Sequence, residues 1–206
     1  MDPIRVLIVG HSFIANLKNY IRRNLSSEIN YALGLHPKDV MIQYSDRRGG
    51  SLSTFRQHQL ESVHDFEPHI VVLQLGSNDL CNRQTTVENF TNDYHSVIKD
   101  LLNIYKVQRV VVLQILHRLE PARPVRYYVD PNWFNPRVDE ANITLRQLFK
   151  DNDRAILWNH KGFWDRDYLA SALQDDGVHI ADVAQWKYIR NIRAAVVSAI
   201  KHLKHT

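Results

Sequence analysis

A chain of 206 residues with 44% hydrophobic and 23% charged residues has the balance of a globular protein that can bury a core unaided, which excludes extended disorder and fits one domain spanning 1–206. The first apolar run, at 4–9, falls short of both a membrane span and a secretion-signal core, and the lone Cys81 excludes an internal disulfide or a Cys-x-x-Cys site, so an intracellular, cytoplasmic setting is expected. The net charge of +4 comes partly from Lys201 and Lys204 and suits a solvated helix end; with no zinc-finger, RRM or KH pattern, nucleic-acid binding by this domain alone is not expected.

In chain order, short β-branched runs alternate with stretches of helical apolar spacing. A strand is predicted at 4–9, a helix at 14–24, a strand at 40–44 and a helix at 52–66. A strand at 70–75, a helix at 87–105, a strand at 110–116, a helix at 138–150, a strand at 155–158 and a helix at 183–202 complete the pattern. Val71-Val72-Leu73 and Val110-Val111-Val112-Leu113 are continuous apolar runs, as expected of central strands covered on both faces. Five β-α units predict a doubly wound α/β sandwich with a five-stranded parallel sheet, whose ligand crevice lies outside the carboxyl ends of the strands. One long irregular segment, 118–136, holds four of the seven prolines together with Tyr127, Tyr128, Trp133 and Phe134. It reads equally well as a binding loop or as a surface loop pinned by aromatic residues.

Glycine is scarce, yet five of the seven, Gly10, Gly49, Gly50, Gly76 and Gly177, fall in four loops that can meet at the crevice. In Gly10-His11-Ser12 a serine stands at a strand-to-helix turn, where it can be a nucleophile or simply a helix N-cap. Gly49-Gly50 lets a backbone N–H approach a ligand, or is a tight turn. In Gly76-Ser77-Asn78-Asp79, Asn78 can offer an N–H to an oxyanion, although Asn and Asp also favour capping turns. In Asp175-Asp176-Gly177-Val178-His179, a carboxylate three residues before a histidine can reach Nδ1 and leave Nε2 free to accept a proton.

Together these four blocks, in this order and over nearly the whole chain, resemble the SGNH hydrolase superfamily, the GDSL-type esterases. The resemblance implies a three-layer, flavodoxin-like α/β/α sandwich. It implies Ser12 as nucleophile, His179 as base and Asp176 as the group that orients it. The backbone N–H groups of Ser12 and Gly50 and the side chain of Asn78 would form the oxyanion hole, with Gly49 an alternative to Gly50. No metal or organic cofactor is needed for such chemistry. The implied partner is a small-molecule ester, an acetylated carbohydrate or a lipid, hydrolysed through an acyl-enzyme. One departure is His11, which stands where the family usually has Asp and is expected to act as a local hydrogen-bonding residue.

The α/β-hydrolase elbow Gly-x-Ser-x-Gly is absent, as are both glycine-rich phosphate loops. A rival from another class is an SGNH scaffold that has lost catalysis and serves as a binding module. The chain starts almost at its first strand, as a domain excised from a larger protein would, and resembles SGNH domains of LINE-type retrotransposon proteins. The presence of all four block residues and the Asp favours the active esterase.

Overall fold

The computed structural model describes residues 2–25 and 31–203; Lys204 lies outside the described residues, while Lys201 sits in the last turn of the final helix. Five parallel strands, β1 (Ile4–Gly10), β2 (Val40–Asp46), β3 (Ile70–Gln74), β4 (Arg109–Leu113) and β5 (Ala155–Trp158), form one sheet in the order β2-β1-β3-β4-β5. The order reverses between β1 and β3, so the carboxyl ends of these two strands flank the switch point where doubly wound sheets bind ligands.

β3 and β4 are buried at every position and lie inside the sheet, as their continuous apolar runs predict. Along β1 the side chains alternate: Val6 and Ile8 join one core, Leu7 and Val9 the other. The first core lies under α1 (Ser12–Asn24), whose Phe13, Ile14, Leu17 and Ile21 face the sheet. The second is covered by a helical rod at 52–66, α2, and further along the chain by α4 (Val87–Asn103). The short helix α3 (Ser77–Leu80) falls between them, and α5 (Pro131–Leu148) completes that layer. Late in the chain come α6 (Arg166–Ala172) and α7 (Asp182–Leu203), the latter packing on the first core. A polar trio is sealed inside: His160 and Tyr188 both bond Gln74 Oε1, at 3.0 and 2.8 Å.

The boundaries differ from the predicted ones for physical reasons. β4 stops at Leu113 rather than at 116: after the Gln114 N–H, which still reaches the Trp158 carbonyl, the backbone pairs with a side chain, Asn142 of α5 accepting from the Ile115 N–H at 3.0 Å and donating to its carbonyl at 2.9 Å. The irregular segment ends at Asp130, not at 136. Asp130 caps α5 by accepting from the Asn132 N–H, Pro131 occupies the first turn where its missing N–H is harmless, and Pro136 is carried inside the helix. α2 is not a uniform α-helix, since a π-helical segment, Phe55–Gln59, interrupts it. The short helices α3 and α6 were not predicted.

Candidate active site

α1 begins at Ser12, two residues earlier than its apolar pattern indicates, and its cap is His11, whose Nδ1 accepts a long bond of 3.4 Å from the Phe13 N–H. Ser12 is therefore not the N-cap, and its hydroxyl is available for another partner. That partner is His179, whose Nε2 lies 2.8 Å from Ser12 Oγ, across 167 positions of sequence. On the other side of the ring, Nδ1 lies 2.6 Å from Asp176 Oδ2. Asp176 Oδ1 accepts from the Val178 and His179 amides, both at 2.9 Å, so a single carboxylate shapes the turn and holds the ring.

Burial pushes the Asp176 carboxyl up, but the bonds from the His179 ring and the two amides, with the attraction of an imidazolium, outweigh it and hold the group below its ordinary value. The carboxylate is thus ionised at neutral pH, and Nδ1–H is the donor it selects. Nε2 is left to accept the serine proton. Asp175 stands apart, exposed and paired with Arg123 at 2.6 Å.

Gly10, the last residue of β1, lets α1 lie close against the sheet: a Cβ there would meet Ile14 Cγ1 at 2.4 Å and the Gln74 carbonyl oxygen at 2.9 Å. This packing sets the height of Ser12 above the strand ends. The first N–H groups of a helix have no intrahelical acceptor, which leaves the Ser12 amide open to an anion. Asn78 stands on α3 and spends one of its two amide protons on the Gly50 carbonyl at 2.8 Å, keeping the other. The Gly50 N–H is occupied, donating to the Arg47 carbonyl at 2.9 Å to close the turn, whereas Gly49 lines the cleft. In this conformation Gly50 positions Asn78 through its carbonyl and has no free donor of its own.

His11 is buried and its pKa is pushed down to about 3, by burial first and then by the positive neighbours His179 and Arg118, so it stays neutral beside the serine. Its Nε2 has no hydrogen-bond partner among the described residues.

Sequence reasoning missed Arg118. It comes from the irregular segment, is 9% exposed, donates to Ser77 Oγ at 3.2 Å and lies 4.5 Å over the Phe134 ring. No local pattern marks it, because its burial depends on α5 closing over it. Around Ser12 the cleft holds about 470 Å³ and is walled by Phe13, Val125, Val129 and Val178 along with Tyr127.

A serine, a histidine and an ionised aspartate in relay, beside unspent N–H donors at a strand-end crevice, define the site of a serine hydrolase on an α/β sheet. The model of the GDSL-like lipase/acylhydrolase family matches residues 11–189, and the chain belongs to that family of ester hydrolases. The fold is similar to that of a Parabacteroides merdae ATCC 43184 protein assigned to the GDSL-like lipases, with TM-score 0.74 and 16% identity over 94% of this chain and 95% of that one. It is also similar to an acetyl xylan esterase, AlAXEase, with TM-score 0.64 and 17% identity over 94% of this chain and 100% of that one. A catalytic mutant of the acetylxylan esterase Axe2 from Geobacillus stearothermophilus gives TM-score 0.67 and 10% identity over 95% of each chain. No curated protein matches the chain in sequence. Among the described residues no helix is long and apolar enough to cross a membrane.

Proposed function

We propose that the protein hydrolyses short-chain carboxylic esters, acetyl esters among them, through an acyl-enzyme on Ser12. The observation that carries the reading is the unbroken relay from Ser12 Oγ through His179 to Asp176, at 2.8 and 2.6 Å. Nε2 takes the hydroxyl proton as Oγ attacks the ester carbonyl. The carbonyl oxygen becomes an oxyanion that the Ser12 amide and the remaining Asn78 N–H can meet. The tetrahedral carbon then releases its alkoxide, which takes the proton held on Nε2, and the acyl group stays on Oγ. Water repeats the sequence and frees the acid. Asp176 remains ionised throughout, its charge stabilising the imidazolium. The apolar side chains of Phe13, Val125, Val129 and Val178 beside Ser12 suit the acyl group, and the acetyl xylan esterases that share the fold, which act on acetyl esters by their names, support a short one.

The test is labelling with a fluorophosphonate, read by intact mass and peptide mapping, beside hydrolysis of p-nitrophenyl acetate. One label at Ser12, lost with turnover in Ser12→Ala, is the expected result. Labelling elsewhere, or a Ser12→Ala variant that keeps most of its turnover, would overturn the proposal.

A further inference from the structure

Three guanidiniums line the Ser12 cleft, those of Arg48, Arg118 and Arg126, and they differ in exposure. Arg48 and Arg126 are exposed, where water screens their charge. Arg118 is buried and fixed from several sides. Its backbone N–H donates to Asn135 Oδ1 and its carbonyl accepts from Asn135 Nδ2, both at 2.9 Å, while its Nη2 donates to Ser77 Oγ and its head lies over the Phe134 ring. The next residue, Leu119, is bonded to the Gly177 carbonyl, so Arg118 is wedged between α3, α5 and the turn that carries His179.

This cation has no carboxylate of its own. Among the described residues it forms no ion pair, and Nη2 is the only nitrogen of its side chain with a hydrogen-bond partner, the neutral Ser77 hydroxyl. Asp176 attracts it from beyond ion-pair distance, but both oxygens of that carboxylate are engaged by the His179 ring and two amides. Burial pushes the guanidinium pKa down, the mark of a desolvated cation, and a guanidinium nevertheless stays charged. Holding Ser77 and covering Phe134 would need only a neutral donor, and a buried charge without a partner is costly.

Ester attack creates two charges. The positive one, on the His179 ring, faces Asp176 at 2.6 Å. The negative one, on the substrate carbonyl oxygen, meets only the dipoles of the Ser12 amide and the Asn78 side chain, because the Gly50 N–H is spent on Arg47. Arg118 stands near both donors. It bonds the residue before Asn78, and its repulsion is felt at His11, the residue before Ser12.

We propose that Arg118 is an electrostatic residue of the ester hydrolysis, a fixed and buried cation whose field stabilises the oxyanion alongside the Ser12 amide and the Asn78 side chain. This rests on the esterase reading above. Both acylation and deacylation pass through such an oxyanion, so both steps gain.

The experiment measures p-nitrophenyl acetate hydrolysis, and inhibition by butylboronic acid, whose adduct on Ser12 is a tetrahedral anion, in Arg118→Gln, Arg118→Met and Arg118→Lys. Glutamine keeps a donor for Ser77 without the charge, methionine keeps only bulk over Phe134, and lysine keeps the charge in another shape. Loss of a direct oxyanion donor costs about 100- to 1000-fold, and a charge acting from further away should cost less, about 10- to 100-fold in kcat for glutamine and methionine, with little change in KM. The boronic acid should bind more weakly to the same two variants by a similar factor, and lysine should recover most of both losses. Circular dichroism and the thermal midpoint check that each variant folds.

A glutamine variant with turnover near that of the unaltered protein overturns the proposal, as does a lysine variant as slow as the glutamine one, since either leaves Arg118 a holder of Ser77 and not a source of charge. A loss confined to KM, or failure of all three variants to fold, also overturns it. If the unaltered protein cleaves p-nitrophenyl acetate and is labelled by the fluorophosphonate at Ser12, the esterase reading survives these failures; if it does neither, both fall.

Discussion

Acid should unfold this protein early, and two buried rings set the scale. His11 and His160 are both fully enclosed, and burial pushes each pKa from the ordinary 6.5 to about 3. In the unfolded chain the same rings take up protons below 6.5. Between the two values the unfolded state binds more protons, so stability is whole only above about 6.5 and falls as the pH is lowered towards 3. At about 1.4 kcal/mol per pH unit, a move to pH 5 costs about 2 kcal/mol per ring and about 4 kcal/mol for the pair. Against the 5–15 kcal/mol typical of a folded domain, that is a large share. Asp176 acts further down, because its depressed carboxyl contributes until the pH falls through its folded value. Urea unfolding followed by tryptophan fluorescence at pH 8 and pH 5 measures the loss. His160→Gln, which can still donate to Gln74 Oε1, should remove about half of it. Equal unfolding free energies at the two pH values, within about 1 kcal/mol, would refute the reasoning.

Three further outcomes follow from the site. Asn78→Ala should lower kcat on p-nitrophenyl acetate by about 100- to 1000-fold with little change in KM, since the donor acts in the transition state; steady-state kinetics at saturation reads this. Asp176→Asn should cut turnover by about 10⁴-fold, because the ring loses both its tautomer control and the stabilising charge. The same variant should start its acid unfolding from a lower stability, which the urea assay also reports. Gly177 has φ +70°, and an added Cβ would meet the Leu119 carbonyl oxygen at 2.2 Å, so Gly177→Ala should cost more than the 1–2 kcal/mol of a left-handed residue alone and displace His179. A lowered thermal midpoint together with lost turnover is expected, and an unchanged midpoint would count against it.

Much of this was legible in the sequence because the strands are written in local pattern. Ile70–Gln74 and Arg109–Leu113 are apolar at almost every position, and only a strand covered on both faces uses such a run. Asp176 and His179 were legible for a similar reason, three residues apart in one turn. What escaped depends on distant parts of the chain. Whether Ser12 or His11 caps α1 is settled by which side chain turns back to the Phe13 N–H. Whether Gly50 or Gly49 has a free N–H is settled by one turn bond to Arg47. Arg118 becomes part of the site only when Phe134, on a helix whose start Pro131 and Pro136 disguise as loop, closes over it.

The turn bearing Asp176 and His179 is also stitched to the segment that precedes the aromatic loop: the Leu119 N–H donates to the Gly177 carbonyl at 2.9 Å, and the Ala122 N–H to the Asp175 carbonyl at 2.8 Å. The segment leading into the cleft wall and the turn that carries the Asp176–His179 pair therefore share one backbone ladder. Exchanging residues 119–122 of this chain would also disturb the turn that holds His179. Val125, Arg126, Tyr127 and Val129, which line the cleft outside those two rungs, can be exchanged without breaking either bond.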